Sequence, residues 1–213
     1  MARVGFSLYL ITDRRQTNSR PLDEVIEAAL RGGVKAVQLR EKDLSPREQL
    51  ELAHRLRELT SRYGARLLVN DRLDIALAVE ADGVHLGEAG IDPATARRLI
   101  GPERLIGVSC HSVAGALAAQ QGGADFITFG PVFATPSKAR YGEPVGVKPL
   151  SEAKRQLRIP IFALGGICRN SVPEVLAAGA DGIAMISAII AADNPREEAA
   201  AFLDLLPSPA GNE

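Results

Sequence analysis

A cluster of basic and amide side chains follows one short apolar run and could bind a polyanion. The segment QLREK places Gln38, Arg40 and Lys42 at alternating positions. In an extended backbone all three side chains would share one face. Two fixed cations beside an amide suit a polyanion. Arg40, Glu41 and Lys42 could instead form a solvated, salt-bridged strand end, as most surface charge clusters do.

Carboxylate, hydroxyl and imidazole groups follow two further apolar runs. Asn70 and Asp71 form a plausible ligand pair for a hard cation, or they could cap the helix that follows. In GVSCHS, Ser109 and His111 offer a hydroxyl and an imidazole suited to proton transfer, whereas Ser112 could merely act as a cap.

The segment from 130 to 146, GPVFATPSKARYGEPVG, is long and rich in proline and glycine. Thr135, Ser137 and Lys138 bring two hydroxyls and a cation within four residues. Loops of this length in compact folds are usually functional, so we predict an active-site flap; an ordinary surface loop is the alternative.

Backbone groups near the end of the chain could bind a phosphate. Gly165 and Gly166 allow close approach to the backbone, and the amides near Ile186 and Ser187 are expected at the start of a helical turn. N–H donors combined with a helix dipole bind phosphate well.

The remaining reactive residue types are expected to be structural. His85 lies within the apolar run GVHLG and should pack inside the fold with its ring hydrogen-bonded. Cys110 and Cys168 have no CxxC spacing and no nucleophile motif around them.

A weak internal repeat indicates the elements that position these residues. Four segments share a helix exit that leads into an apolar strand: 32–39, 80–86, 122–129 and 178–186. Further strands are predicted over 7–12, 66–70, 105–109 and 159–164, with amphipathic helices that include 21–33, 46–64 and 170–180. Eight alternations predict a single (β/α)₈ TIM barrel over 1–206, with a frayed tail over 207–213. A doubly wound open sheet is the alternative.

Composition excludes several classes of partner. The 213 residues have a formal net charge of -1, with 46% hydrophobic and 24% charged residues. The sequence contains no basic run for nucleic acid or anionic membranes, no apolar stretch of membrane-spanning length and no signal-peptide pattern. We therefore expect a cytoplasmic enzyme that acts on small molecules.

The chain resembles the thiamine phosphate synthase family over nearly its whole length. The resemblance is carried by the segments YLITDR, QLREK, VND, GVHLG, GVSCHS, GPVFATPSK, GGI and AGADGIAMIS. The resemblance implies that a hydroxymethylpyrimidine diphosphate loses pyrophosphate and joins a thiazole phosphate. It also implies the following roles. The diphosphate is held by Gln38, Arg40, Lys42, Asn70 and Lys138, with Mg²⁺ on Asp71 and Ser109 on the pyrimidine substrate. The thiazole phosphate is held by Thr135, Pro136, Ser137, Gly166, Ile186 and Ser187. Catalytic roles fall on Arg40, Ser109 and Lys138, and small barrels of this kind often form homodimers.

One position departs from the family pattern. The family pattern HLGQxD supplies a second metal-ligand Asp, where this chain has HLGEAG with Gly90. Glu88 or Asp92 could substitute, or Mg²⁺ could rely on Asp71, substrate oxygens and water. The departure keeps two alternatives open. One is the related thiazole tautomerase, with His111 as its metal-independent proton shuttle, and the other is a non-catalytic barrel that binds phosphorylated ligands.

Overall fold

The computed structural model describes residues 4–88, 90–135 and 143–208. In these ranges eight parallel strands close into a barrel in sequence order, and β1 also pairs with β8. The strands are β1 (Leu8–Ile11), β2 (Ala36–Leu39), β3 (Arg66–Asn70), β4 (Gly83–Leu86), β5 (Leu105–Cys110), β6 (Phe126–Phe129), β7 (Ile161–Leu164) and β8 (Gly182–Met185). The barrel prediction is confirmed, and the open-sheet alternative is wrong because the first and last strands are hydrogen-bonded neighbours.

Helices follow the strands and cover the barrel. They are α1 (Leu22–Arg31), α2 (Pro46–Arg62), α3 (Leu73–Ala78), α4 (Pro93–Ile100), α5 (Val113–Gln121), α6 (Val147–Gln156), α7 (Val172–Ala177), α8 (Ser187–Ile190) and α9 (Pro195–Leu203). Short 3₁₀ turns occur at Arg14–Gln16 and Arg169–Ser171. None of the helices in the described ranges is long and apolar enough to cross a membrane.

Sequence patterns explain why these helices form and where they pack. The buried residues of α1 recur at three-to-four-residue spacing and form one face toward the barrel: Leu22, Val25, Ile26, Ala29 and Leu30. Helix α2 begins with a capping box in which Ser45 and Glu48 satisfy each other's backbone N–H groups, and Pro46 fits its first turn.

The barrel interior is filled mainly by aromatic rings. Alternate residues of each strand point inward, and Tyr9, Phe126 and Phe162 are among the largest fully buried side chains. Phe6 lies just before β1 and contacts all three rings, with centroid separations of 5.1 to 5.6 Å. Below the mouth, the barrel is therefore a packed core.

Three aspartates repeat one contact at the N-terminal ends of the strands. Asp82, Asp125 and Asp181 each precede an even-numbered strand and accept a hydrogen bond from a backbone N–H in the preceding strand, at 2.7 to 2.8 Å. Each also pairs with a cation: Arg57 and Arg66, Arg97, and Lys154, respectively. Three of the four copies of the internal repeat predicted from the sequence thus share a physical role, because the aspartate in each of them links adjacent strands; the first copy has Lys35 at this position.

The predicted strand starts were too early where a segment began in the helix exit. Gly32 caps α1 and Gly33 has φ of +104°, so residues 32–35 complete a turn before β2 begins at Ala36. The same kind of turn precedes β4, β6 and β8. Of the predicted tail over 207–213, only residues 207 and 208 lie within the described residues.

Candidate active site at the barrel mouth

Side-chain alternation brings polar groups from several strands to the C-terminal end of the barrel. Strand pairing sets Gln38 opposite Leu68, Asn70 opposite His85, and Ser109 opposite Thr128. All belong to the inward-facing set, because successive side chains of a strand alternate between its two faces. The mouth is therefore lined by polar side chains above an apolar aromatic floor.

The deepest polar groups form a connected hydrogen-bond network. Gln38 Nε2 donates to the Tyr9 hydroxyl at 3.2 Å, and that hydroxyl lies 3.4 Å from His85 Nδ1. On the other side of the ring, His85 Nε2 lies 3.0 Å from Ser109 Oγ. Thr128 Oγ1 is 3.5 Å from both His85 Nε2 and Ser109 Oγ. The network links β2 to β5 across the barrel.

The imidazole of His85 is a buried, neutral group. Its side chain is 1% exposed, and burial lowers the pKa of His85 to about 3, with the positive charge of Arg40 as a second cause. Its ring packs against Tyr9 and Phe126. His85 therefore packs inside the barrel with a hydrogen-bonded ring, as the apolar run predicted.

The charged residues that follow β2 lie in different environments. Arg40 follows the inward alternation of Gln38 and is half-buried. Glu41 is buried and ion-paired with Arg14 at 3.1 Å. Within the described ranges neither Arg40 nor Lys42 has an ion-pair partner. The alternative of a salt-bridged strand end is therefore correct for Glu41 and wrong for Arg40 and Lys42.

The position of Lys42 differs from the prediction. The strand ends at Leu39 and Lys42 lies in a turn, so the shared extended face with Gln38 and Arg40 is wrong for Lys42. The turn nevertheless leaves Lys42 on the wall of a cavity of about 250 Å³ that Asn70 and Asp71 also line. A cation and a carboxylate are brought together by the loop instead of by the strand.

Asn70 and Asp71 face the cavity and do not cap the next helix. Asp71 has φ of +57°, and its Oδ1 accepts from the Gly87 N–H at 2.7 Å. Its Oδ2 accepts from Asn70 Nδ2 at 2.8 Å. Helix α3 has no side-chain cap, which excludes the capping alternative. Each Asp71 oxygen retains a lone pair that could bind a cation.

Position 90 lies directly against this carboxylate. A Cβ added to Gly90 would lie 3.0 Å from Asp71 Oδ1. Asp92 instead caps α4 by accepting from the Thr95 N–H. The Glu88 carboxylate lies toward α5, 3.2 Å from where a Gly115 Cβ would be. No cluster of three metal-ligating residues occurs in the part of the chain that the structure describes.

The imidazole of His111 is held in one orientation at the rim. Its Nδ1 lies in a short hydrogen bond with the Gly130 carbonyl oxygen, and its side chain is exposed. A carbonyl oxygen can only accept a hydrogen bond, so Nδ1 of His111 carries the proton. In the neutral ring, Nε2 then carries the free lone pair. Ser112 accepts from the Gly115 N–H and caps α5.

The opposite side of the mouth presents backbone groups. Gly166 has φ of +65°, and a Cβ there would lie 2.8 Å from Phe133 Cβ, so the loop after β7 packs closely on the segment after β6. Ile186 precedes α8, which begins at Ser187, and the first N–H groups of a helix have no intrahelical partner. Thr135 is half-buried at the end of the described segment. Pro136, Ser137 and Lys138 lie outside the described residues.

The family model described as thiamine monophosphate synthase matches residues 8–189. This span covers all eight strands and the polar residues at their ends. The chain belongs to this family.

Individual thiamine monophosphate synthase relatives match nearly the full length. A Geobacter sulfurreducens protein named "Putative thiamine-phosphate synthase" is 64% identical over 207 residues, covering 97% of each chain. A thiamine-phosphate synthase of Chloroflexus aurantiacus is 48% identical, covering 90% of this chain and 88% of its own. The solved thiamine phosphate pyrophosphorylase from Pyrococcus furiosus aligns with a TM-score of 0.87 and 38% identity, covering 97% of this chain and 98% of its own.

Two residues of the hydrogen-bond network at the mouth carry no local signal in the sequence. Tyr9 and Thr128 read as ordinary strand residues, because nothing local marks them as polar partners of another strand. The only available signal was the alternation of side chains along the strand. Tyr9 lies two residues before Ile11 and therefore shares its inward face. Their contact with His85 depends on strand register, which becomes visible only in the closed barrel.

Proposed function

We propose that this chain is a thiamine-phosphate synthase. It would join the methylene carbon of a hydroxymethylpyrimidine diphosphate to the nitrogen of a thiazole phosphate and release pyrophosphate. The observation that carries the proposal is the pair of cations after β2, Arg40 and Lys42, which have no ion-pair partners in the described ranges. Lys42 lies on the wall of the cavity that Asp71 also lines. A thiamine phosphate synthase needs this arrangement for a departing diphosphate.

The residues at the mouth would act mainly by electrostatic stabilisation. As the C–O bond to the diphosphate breaks, negative charge grows on the leaving group and positive charge on the methylene carbon. Arg40, Lys42 and Asn70 would stabilise the leaving group by charge and hydrogen bonding. The thiazole nitrogen then forms the new C–N bond with its lone pair. No protein nucleophile is required.

The thiazole phosphate would bind on the other side of the mouth. Gly166, Ile186 and Ser187 supply backbone N–H groups at a glycine-rich turn and a helix start, which suit a phosphate. Thr135 directly follows Ala134, whose carbonyl oxygen lies 2.5 Å from the Cβ position of Gly166. Pro136, Ser137 and Lys138 are predicted to complete the two anion sites.

The carboxylate at Asp71 fits a site for Mg²⁺ that has a single protein ligand. Both of its oxygens are oriented by N–H donors and keep a free lone pair, and Gly90 places no side chain against Oδ1. Mg²⁺ commonly binds through one or two carboxylates together with substrate phosphates. When bound, the ion would neutralise charge on the departing diphosphate.

Incubation of the purified protein with both substrates and Mg²⁺ tests the proposal. We expect thiamine phosphate and an equal amount of pyrophosphate. Omission of the thiazole phosphate is the control and should leave the diphosphate intact. Ligand-induced thermal stabilisation without product over a protein-free blank would contradict the proposal and indicate the non-catalytic barrel.

His111 favours a second candidate, a thiazole tautomerase. Its Nδ1 contact with Gly130 leaves Nε2 at the rim as a base, and Gly90 removes a carboxylate that an isomerase would not need. This activity should persist in chelator and be abolished in His111→Ala. Isomerisation that is unaffected by His111→Ala would exclude the proposed shuttle.

A further inference from the structure

We propose that Tyr9 and His85 are positioning residues that fix the direction of the hydrogen bonds between Gln38 and Ser109. They form a relay, defined as Gln38, Tyr9, His85 and Ser109, in which every proton points toward Ser109. The relay leaves the Ser109 hydroxyl proton free to be donated to a lone pair of the ligand. The identity of that ligand rests on the proposed function; the direction of the relay does not.

The direction follows from what each group can donate. Gln38 Nε2 donates to the Tyr9 oxygen at 3.2 Å, so the Tyr9 proton is free to point toward His85 Nδ1, 3.4 Å away. Nδ1 then accepts, and a neutral imidazole must carry its single proton on Nε2. Nε2 therefore donates to Ser109 Oγ at 3.0 Å.

Burial keeps the ring neutral and prevents it from turning. His85 is 1% exposed, with ring centroids of Tyr9 and Phe126 at 5.6 and 5.9 Å. Gly107 in the neighbouring strand provides the space, because a Cβ there would lie 2.5 Å from His85 Nδ1. A ring fixed in this way has one tautomer that satisfies both neighbours.

The relay determines which groups at the mouth donate hydrogen bonds and which accept them. Ser109 Oγ receives hydrogen bonds from His85 Nε2 and, at 3.5 Å, from Thr128 Oγ1. Its own proton is not needed within the relay, so Ser109 acts as a donor toward the ligand. At the other end, one N–H of the Gln38 amide is committed to Tyr9, which leaves its second N–H as a donor and its carbonyl oxygen as an acceptor.

Histidine tautomers in the full-length protein test the direction without substrate. In ¹⁵N-histidine-labelled protein at neutral pH, two-bond correlation spectra should show His85 as the Nε2–H tautomer. His111, whose Nδ1 donates to a carbonyl, should show the opposite tautomer and serves as an internal reference. The variants H85Q and H111Q assign the signals. An Nδ1–H tautomer at His85 would overturn the proposal.

Kinetics test whether the relay acts on substrate. Tyr9→Phe should raise the KM for the pyrimidine diphosphate by about ten-fold, near the loss expected for one hydrogen bond, and leave the KM for the thiazole phosphate within about two-fold. Tyr63→Phe is the matched control, because it also removes a hydroxyl that is hydrogen-bonded, to Glu27, but at the end of α2 away from the mouth.

Non-additivity separates positioning from packing. If Tyr9 acts through Ser109, Tyr9→Phe should have no further effect in a Ser109→Ala background, whereas additive effects would contradict the relay. His85→Gln keeps a side-chain N–H and should retain more activity than His85→Leu. If the wild type makes no thiamine phosphate, the proposed function fails, and the tautomer of His85 still decides the relay.

Discussion

Asp71 is the carboxylate on which the predicted metal site depends, and its neighbours decide what that site can hold. Gly87 and Asn70 orient its two oxygens, and Gly90 lies directly against Oδ1 without a side chain. Neither Glu88 nor Asp92 turns toward it, because these side chains lie against α5 and α4 instead. Compensation by either residue is therefore not supported by the structure.

Replacing Gly90 should strengthen the metal site. Asp71 must shift by a few tenths of an ångström to admit the Cβ in Gly90→Asp, which then places a second carboxylate beside it. We expect about a ten-fold gain in synthase kcat/KM at limiting Mg²⁺. In chelator the paired negative charges should lower Tm, and added Mg²⁺ should raise it more than in the wild type. Gly90→Asn is the uncharged control. Equal Mg²⁺ dependence in the two variants would refute the assignment.

The buried imidazole should make stability depend on pH. The pKa of His85 is about 3 in the folded chain and near 6.5 when unfolded, so the unfolded state takes up a proton between these values. This contribution to stability is present above pH 6.5 and is lost as pH falls toward 3. From pH 7 to pH 5 it should lower the free energy of unfolding by about 2 kcal/mol.

Urea denaturation of wild type and His85→Gln at both pH values measures this loss. Other acidic and basic groups titrate in both proteins, so the difference between them isolates the histidine. Equal losses in the two proteins would mean that His85 is not held neutral in the fold.

The loops after β6 and β7 are the elements that build the predicted phosphate side. Gly166 adopts φ of +65° and lies against Phe133 and the Ala134 carbonyl, so the two loops pack backbone to backbone. The Gly-Gly pair in the sequence predicts that another group approaches the backbone closely there. The segment that approaches could not be predicted, because the two loops meet only when β6 and β7 are adjacent.

A side chain at this contact should separate the loops. Gly166→Ala combines a positive φ with a steric clash, and we expect a loss of about 2 kcal/mol or more in the free energy of unfolding, with a raised KM for the thiazole phosphate. Gly123→Ala is the control, since Gly123 has φ of +90° but no atom within 4 Å of its Cβ position. Equal losses in the two variants would contradict the packing argument.

Local patterns also determined how much of the site could be predicted. Alternation within a strand correctly placed Gln38 and Ser109 facing inward near the mouth. It failed for Lys42, because a turn begins after β2 and alternation ends with the strand. Whether Asp71 caps a helix could not be read from its neighbours, since its partner Gly87 lies just after the next strand, β4.

Across the whole molecule, the repeated aspartates divide the barrel into a stabilising end and a functional end. Asp82, Asp125 and Asp181 fasten neighbouring strands at their N-terminal ends, whereas the polar residues of the site lie at the opposite ends. The four repeat segments, together with four further apolar runs, predicted the number of strands. It did not reveal the role of these aspartates, which requires knowing which strand lies alongside.

Removing one of these aspartates should lower the free energy of unfolding without changing the site. Asp125 is buried between the Ile106 N–H and Arg97, at 2.7 and 2.6 Å. Asp125→Ala should therefore lower the free energy of unfolding by about 3 kcal/mol. Asp181 is more exposed, so Asp181→Ala should cost about 1 kcal/mol. Urea denaturation measures both, and a larger loss for Asp181→Ala, or a changed KM in either variant, would contradict this division.

The synthase rate of a matched pair of aspartate variants is the most direct test of a thiamine-phosphate synthase site at the barrel mouth. Thiamine phosphate formation should be measured for wild type, Asp71→Asn and Asp74→Asn, with both substrates and Mg²⁺. Asp74 lies three residues after Asp71 and outside the predicted site, exposed and paired with Arg72. We predict turnover in the wild type and Asp74→Asn, and a loss of about a hundred-fold in Asp71→Asn. No turnover in the wild type, or full activity in Asp71→Asn, would contradict the account.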